Sequence, residues 1–154
     1  MEAARLIEAT RTALAQCATL HGIVTEAWQA QALAEAVGSH LALGGPHSVR
    51  AEALGLRDAG AQACRALHAP GRCAGTGSIR AARLTTLHDP RGALDRLAAL
   101  LGEVGAALFG AAVTTEDEAL YWQCVEAIDA ADESGDRVAA ILRALSVREP
   151  GGVG

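Results

Sequence analysis

Apolar residues recur every three or four positions along almost the whole chain, and this spacing restricts the fold more than any other feature of the sequence. It is the spacing of amphipathic helices, in which one face is apolar. No stretch shows the clear alternation of apolar and polar residues that marks a half-buried strand. The 154 residues are enough for one domain with a substantial core. We therefore predict an all-α, single-domain bundle of about five helices over residues 1–148, followed by a disordered tail at residues 149–154.

Helix-starting and helix-ending residues divide the chain. Gly44-Gly45-Pro46 is the clearest stop, residues 69–79 have loop composition, and Asp89-Pro90 combines an N-cap with proline at the first helical position. The third helix begins at Pro46 or at Ser48. A short extra helix within residues 80–88 is left open. The first three predicted main helices cover residues 3–20, 25–43 and 46–69, the fourth begins at Pro90 with a stripe that reaches Ala111, and the last begins at Thr115.

The last predicted helix is long and acidic. Thr115 and Glu118 have the spacing of a capping box, and the apolar arc stays in phase across Ser134-Gly135, which predicts one continuous helix. Acids opposite an apolar arc usually form a solvated face. Trp122 lies among them, and because tryptophan buries a large area, we expect it to be buried near Trp28. The candidate partner surface comprises Glu118, Trp122, Glu126, Asp129, Asp132, Glu133 and Asp136.

Composition and charge narrow the classes of function. The net charge is −5, which argues against a nucleic-acid partner, since binding phosphate needs a basic surface. The first residues lack the basic start and apolar run of a signal peptide. The longest apolar run, Leu97 to Val113, is interrupted by Glu103 and predicts no membrane span. We expect a cytoplasmic protein whose four cysteines are reduced thiols.

A repeated Cys-x-x-Leu-His pattern is the clearest candidate for chemistry. It occurs at Cys17/His21 and again at Cys64/His68, and Cys73 follows in the loop. Two such pairs at one end of a bundle have the composition of a tetrahedral zinc site. Buried cysteine and a histidine near a helix C-terminus are, however, also common without metal. No cofactor is predicted, and the sequence contains no nucleophile motif such as Gly-x-Ser-x-Gly.

Small residues form two ridges with a four-residue step. One comprises Ala30, Ala34, Gly38 and Ala42, and the other comprises Ala98, Gly102, Ala106 and Gly110. Smooth ridges of this kind allow two helices to approach closely. The ridges predict that the second and fourth helices pack against each other.

Two segments carry a resemblance to a known family. EAWQAQALAEAVGSHLA at residues 26–42 and LYWQCVEAIDAADESGDRV at residues 120–138 resemble an uncharacterised actinobacterial family of small helical proteins. The resemblance implies a single helical domain and no particular activity, cofactor or catalytic residue. Basic residues that are all arginine, with no lysine or asparagine, agree with the GC-rich genome of such a source.

These observations favour a non-catalytic interaction or regulatory domain that binds a protein partner or forms a homodimer through the last helix. The alternative is a small enzyme or zinc-binding protein that uses the end of the bundle carrying Cys17, His21, Cys64 and His68. Neither the sequence nor the resemblance decides between an enzyme and a binding domain, although the absence of a catalytic motif favours the latter.

Overall fold

The computed structural model describes residues 1–67 and 79–148, and within these ranges the protein is all-α, as predicted. The predicted tail at residues 149–154 lies outside the described residues. Short 3₁₀ turns at His47–Val49 and Arg80–Arg83 accompany the main helices. The main helices are α1 (Ala3–Ala15), α2 (Leu20–Gly44), α3 (Arg50–Leu67), α4 (Pro90–Thr114) and α5 (Glu118–Arg148).

Two helix pairs form the body of the bundle. Helix α2 packs mainly on α3, and α4 packs mainly on α5. Contacts of α3 with α5 and of α2 with α4 join the two pairs, while α1 lies against α2 and α4. The core is aliphatic, because leucines of the first four helices meet the mostly small and branched buried residues of α5. Its largest fully buried aliphatic side chains are Leu6, Ile7, Leu33, Leu41, Leu56, Leu94, Leu97, Leu100, Leu101, Leu108 and Ile141.

Helix α4 forms as its sequence predicts. The backbone N–H of Gly92 donates to Asp89 Oδ1 at 3.1 Å, so Asp89 caps the helix ahead of Pro90. Its apolar stripe, Leu94, Leu97, Leu101, Val104 and Leu108, is buried. By length and composition α4 is apolar enough to cross a membrane, and 33% of its most apolar window is buried inside the bundle. The core helix of a soluble protein, which is mostly buried, can meet the same criterion of length and composition.

The boundary between the first two helices differs from the prediction. Helix α1 ends at Ala15, and α2 begins at Leu20 instead of near Thr25. The physical reason is a cap that the prediction overlooked. The Thr19 hydroxyl accepts a 3.0 Å hydrogen bond from the Gly22 backbone N–H and so starts α2. His21 therefore lies in the first turn of α2.

The predicted cap of the last helix is also wrong. Asp117 Oδ1 accepts hydrogen bonds from the backbone N–H groups of Ala119 at 2.9 Å and Leu120 at 3.3 Å. The Thr115 hydroxyl accepts only from the Asp117 N–H, at 3.2 Å, and stabilises the turn before the helix. A carboxylate at this position also interacts favourably with the positive end of the helix dipole. Beyond this start, α5 is one continuous helix across Ser134 and Gly135, as predicted.

The two small-residue ridges do not pack on each other. A Cβ at Gly38 would lie 2.6 Å from the backbone nitrogen of Arg57, and one at Gly60 would lie 2.7 Å from the carbonyl oxygen of Gln31. Helices α2 and α3 therefore approach closely through a glycine on each side. On α4, by contrast, a Cβ at Gly102 or Gly110 would meet nothing within 4 Å. The α4 ridge lies outside the core because the leucine face of α4 already fills the interior.

Candidate functional site

The outer face of α5 is a continuous acidic stripe. All seven residues of the predicted partner surface are exposed on this one helix. On a helical wheel, Glu118, Glu126, Asp129, Glu133 and Asp136 all fall within about 40° of Trp122. We use the name acidic stripe for Glu118, Glu126, Asp129, Asp132, Glu133 and Asp136.

Most of the charge on this stripe is uncompensated. Arg137 donates to Glu133 at 2.8 Å across one helical turn. None of the other stripe carboxylates forms an ion pair with a described residue. Such exposed like charges repel one another weakly within the helix and present a negative surface to a partner.

Trp122 is exposed, so the expectation of a buried anchor is wrong. Its side chain is 54% exposed and Tyr121 beside it is 41% exposed. Their rings make an edge-to-face contact with centroids 5.3 Å apart. The core side of α5 is formed by residues such as Cys124 and Ala127, and Trp122 lies about 160° around the helix from Cys124.

Two further apolar side chains are exposed near this end of α5. Phe109 and Val113 lie in the last two turns of α4, which ends at Thr114 just before α5 begins. A tight connection at residues 115–117 places these turns beside the first turns of α5. Large apolar side chains of both helices are therefore exposed around this connection.

Cys17 and His21 do not lie on one helix, contrary to the prediction. Cys17 lies in the connection after α1, whereas His21 is exposed in the first turn of α2, so the two are not one turn apart on a single helix. Cys64 is on α3, where its thiol donates to the Trp28 carbonyl oxygen at 3.6 Å. His68 and Cys73 lie outside the described residues.

The environments of the three described cysteine thiols favour the protonated form. Burial raises the pKa of Cys64 to about 12, and Glu35 adds to the shift. Burial also raises the pKa values of Cys17 and Cys124. Because the thiolate is the nucleophile and the metal ligand, these environments disfavour both roles. Within residues 1–67 and 79–148, no three His, Cys, Asp or Glu side chains converge in a geometry that could hold a metal ion.

A cavity of about 500 Å³ lies where α2, α3, α4 and α5 meet. Aliphatic and alanine side chains form most of its surface, and His21, Gln123 and Glu126 supply the polar groups beside the Cys124 thiol. Sequence reasoning missed this cavity. Its walls come from four separate helices, and no local spacing signals their convergence. Its lining comprises Leu20, His21, Val24, Ala63, Ala66, Leu67, Leu108, Leu120, Gln123, Cys124, Glu126, Ala127 and Ala130.

Comparison with known proteins places the chain in a family without assigning it an activity. The model of a family of unknown function matches residues 1–144. No curated protein and no solved structure matches the chain.

Proposed function

The chain belongs to this family of unknown function, DUF6099, and because membership assigns no activity, we propose a role from its exposed surface: a non-catalytic interaction domain that binds a basic, amphipathic helix of a partner protein. The observation that carries the proposal is Trp122, exposed at one end of the acidic stripe on α5. Tryptophan is enriched among residues that dominate binding energy at protein interfaces.

The dimensions of the surface support a helical partner. From Glu118 to Asp136 the stripe is about 27 Å long, which matches a partner helix of about 18 residues. Such a helix would place arginine or lysine side chains along the carboxylates. One bulky apolar side chain would contact Trp122 and Tyr121. Charges at the rim mainly set association rate and specificity, while the aromatic contact supplies affinity.

Charge also favours a different protein over a second copy of this chain. Two copies joined through the same face would bring acidic stripes together, and like charges in juxtaposition are costly. A homodimer through the stripe is therefore the disfavoured alternative. Sedimentation of the protein across a concentration series detects such a dimer directly.

Binding of a designed helical peptide tests the proposal. The probe is a fluorescein-labelled peptide of about 18 residues, built from leucine, alanine and arginine as a basic amphipathic helix. Fluorescence anisotropy measures its dissociation constant. We expect Trp122→Ser and the double variant Glu126→Arg/Asp129→Arg each to weaken binding by about tenfold or more. The same peptide with glutamate in place of arginine is expected not to bind.

The matched control is Asp58→Arg/Asp95→Arg, which changes net charge equally but alters exposed acids on α3 and α4. The dissociation constant of this control should stay within about twofold of that of the unchanged protein. The measurement is made in salt that screens the long-range attraction between the peptide and the net charge of the protein. Equal weakening by both double variants would mean that only net charge matters. The protein is then used to capture its partner from native cell extract. A genuine partner should bind the unchanged protein and should not bind the Trp122→Ser variant.

Source and location are part of the same proposal. The arginine-only basic residues support a GC-rich, actinobacterial source, and the free thiols of Cys17, Cys64 and Cys124 support a reducing cytoplasm. The net charge of −5 makes nucleic acid an unfavourable partner. Fractionation of native cells tests the location, since recovery with membranes would assign α4 a different role.

A further inference from the structure

We infer that the cavity between α2, α3, α4 and α5 is a binding site for a small apolar molecule that carries a basic amine. The cavity shares Glu126 with the acidic stripe, and its other lining residues lie outside that stripe. Nothing in the inference depends on a protein partner.

The volume of the cavity is the first argument. The cavity opens to solvent at a rim that includes the exposed residues His21, Ala66 and Gln123. An engineered apolar cavity of about 150 Å³ is large enough to bind benzene. The present cavity, at about 500 Å³, falls within the range typical of small-molecule sites.

The lining is the second argument. Alanines at positions 63, 66, 127 and 130 leave the space open where larger side chains would fill it. The surrounding aliphatic side chains include Leu20, Leu67, Leu108 and Leu120. Cys124 adds a thiol, and because burial raises its pKa, it presents a neutral group to the cavity. The body of a ligand in this cavity must therefore be hydrocarbon-rich.

The polar groups select the head group of the ligand. Among the described residues that line the cavity, Glu126 is the only Asp, Glu, Lys or Arg; it is exposed at the rim and forms no ion pair with a described residue. Its carboxylate can accept hydrogen bonds from an ammonium group, whereas it would repel a ligand carboxylate. His21 and Gln123 lie around the same cavity and offer further hydrogen bonds to the amine or to a neighbouring polar atom.

A matched set of probes separates hydrocarbon binding from recognition of the amine. The probes are 1-adamantylmethylamine, 1-adamantanemethanol and 1-adamantanecarboxylate, which share one apolar cage and differ in the head group. Titration followed by amide chemical shifts locates the site, and isothermal calorimetry gives affinities. We expect shifts centred on Ala63, Ala127 and Ala130, with affinity falling from amine to alcohol to carboxylate.

Two variants test the cavity and the carboxylate separately. Ala66→Phe places a large side chain at the rim and should weaken all three probes by about tenfold or more. Ala51→Phe is the matched control, since Ala51 is exposed in the first turn of the same helix and does not line the cavity. Glu126→Gln should reduce the preference for amine over carboxylate by about tenfold while alcohol binding stays the same.

Several results would overturn the inference. No binding of any probe at millimolar concentration would do so, as would shifts centred away from the four helices. Equal losses in Ala51→Phe and Ala66→Phe would show that the probes bind elsewhere. If Glu126→Gln leaves the preference for amine over carboxylate unchanged, Glu126 does not select a basic amine and that part of the inference is wrong. A crystal structure in which the protein's own residues fill the cavity would exclude a ligand site.

Discussion

Ser134 donates a 2.7 Å hydrogen bond through its hydroxyl to the side-chain oxygen of Gln31, and both side chains are buried. This contact joins α5 to α2 within a mostly aliphatic core. Among the described residues, no buried side-chain nitrogen or oxygen lacks a hydrogen-bond partner. The pair satisfies two polar groups that would each be costly alone.

Removing only the hydroxyl should therefore be destabilising. We expect Ser134→Ala to lower the free energy of unfolding by about 1–3 kcal/mol, because the Gln31 oxygen is left buried without a donor. The double variant Gln31→Leu/Ser134→Ala should lose less than the sum of the single changes. Urea denaturation measures all three. Ser146→Ala on the same helix is the control: its exposed hydroxyl accepts a 3.3 Å hydrogen bond from Arg91, and because that contact is in solvent, its loss should stay within about 0.5 kcal/mol.

Glycine substitutions should have opposite effects on the two ridges. Gly38→Ala should destabilise by about 1–3 kcal/mol, because its Cβ would collide with the α3 backbone. Gly102→Ala should stabilise by up to about 1 kcal/mol, since alanine favours a helix and the position faces open space. Thermal midpoints of the two variants distinguish these outcomes. Destabilisation by Gly102→Ala would mean that the Gly102 face of α4 is packed, which would contradict the structure.

The start of α5 provides a test of the cap assignment. Asp117→Ala should cost about 1 kcal/mol, because two backbone N–H groups lose their acceptor. Thr115→Ala should cost less, since Thr115 accepts a single hydrogen bond before the helix begins. Chemical denaturation of both variants shows which substitution lowers the free energy of unfolding more. The reverse order would support the capping box that the sequence alone predicts.

The exposure of Trp122 has a direct optical signature. In a Trp28→Phe variant, Trp122 is the remaining tryptophan, and its emission should be red-shifted and readily quenched by acrylamide. Trp122→Ala should change stability by no more than about 0.5 kcal/mol, as for ordinary surface substitutions. Blue-shifted, protected emission or a loss of several kcal/mol would mean that Trp122 is an internal anchor.

Thiol reactivity checks the electrostatic environment of the cysteines. With its pKa raised to about 12, Cys64 is almost wholly protonated at pH 8 and should be alkylated by iodoacetamide far more slowly than a free thiol. Unfolding in urea should restore the ordinary rate, because burial is the main cause of the shift. Peptide mapping resolves the individual cysteines. Rapid alkylation of native Cys64 would mean that its thiolate is accessible, and would support a catalytic or metal-binding role.

Much of the fold could be predicted because local spacing and local caps act within one helix. The leucine face of α4, the Asp89 cap and the uninterrupted course of α5 all follow from residues less than two turns apart. The acidic face of α5 could be predicted for the same reason. Errors occurred where two local signals competed, as with Thr19 against Thr25 and Asp117 against Thr115.

The sequence by itself determined that the chain is helical, which residues share each helix face, and that the last helix carries a row of acids. Tertiary structure alone decided which faces meet. Ala and Gly ridges fit several partners equally well, and the close approach of Gly38 and Gly60 arises because α2 packs on α3. Trp122 is exposed because Cys124, Ala127 and Val138 already fill the core side of α5. The cavity likewise depends on four helices meeting, and packing between distant segments is a property of the whole chain that no local pattern encodes.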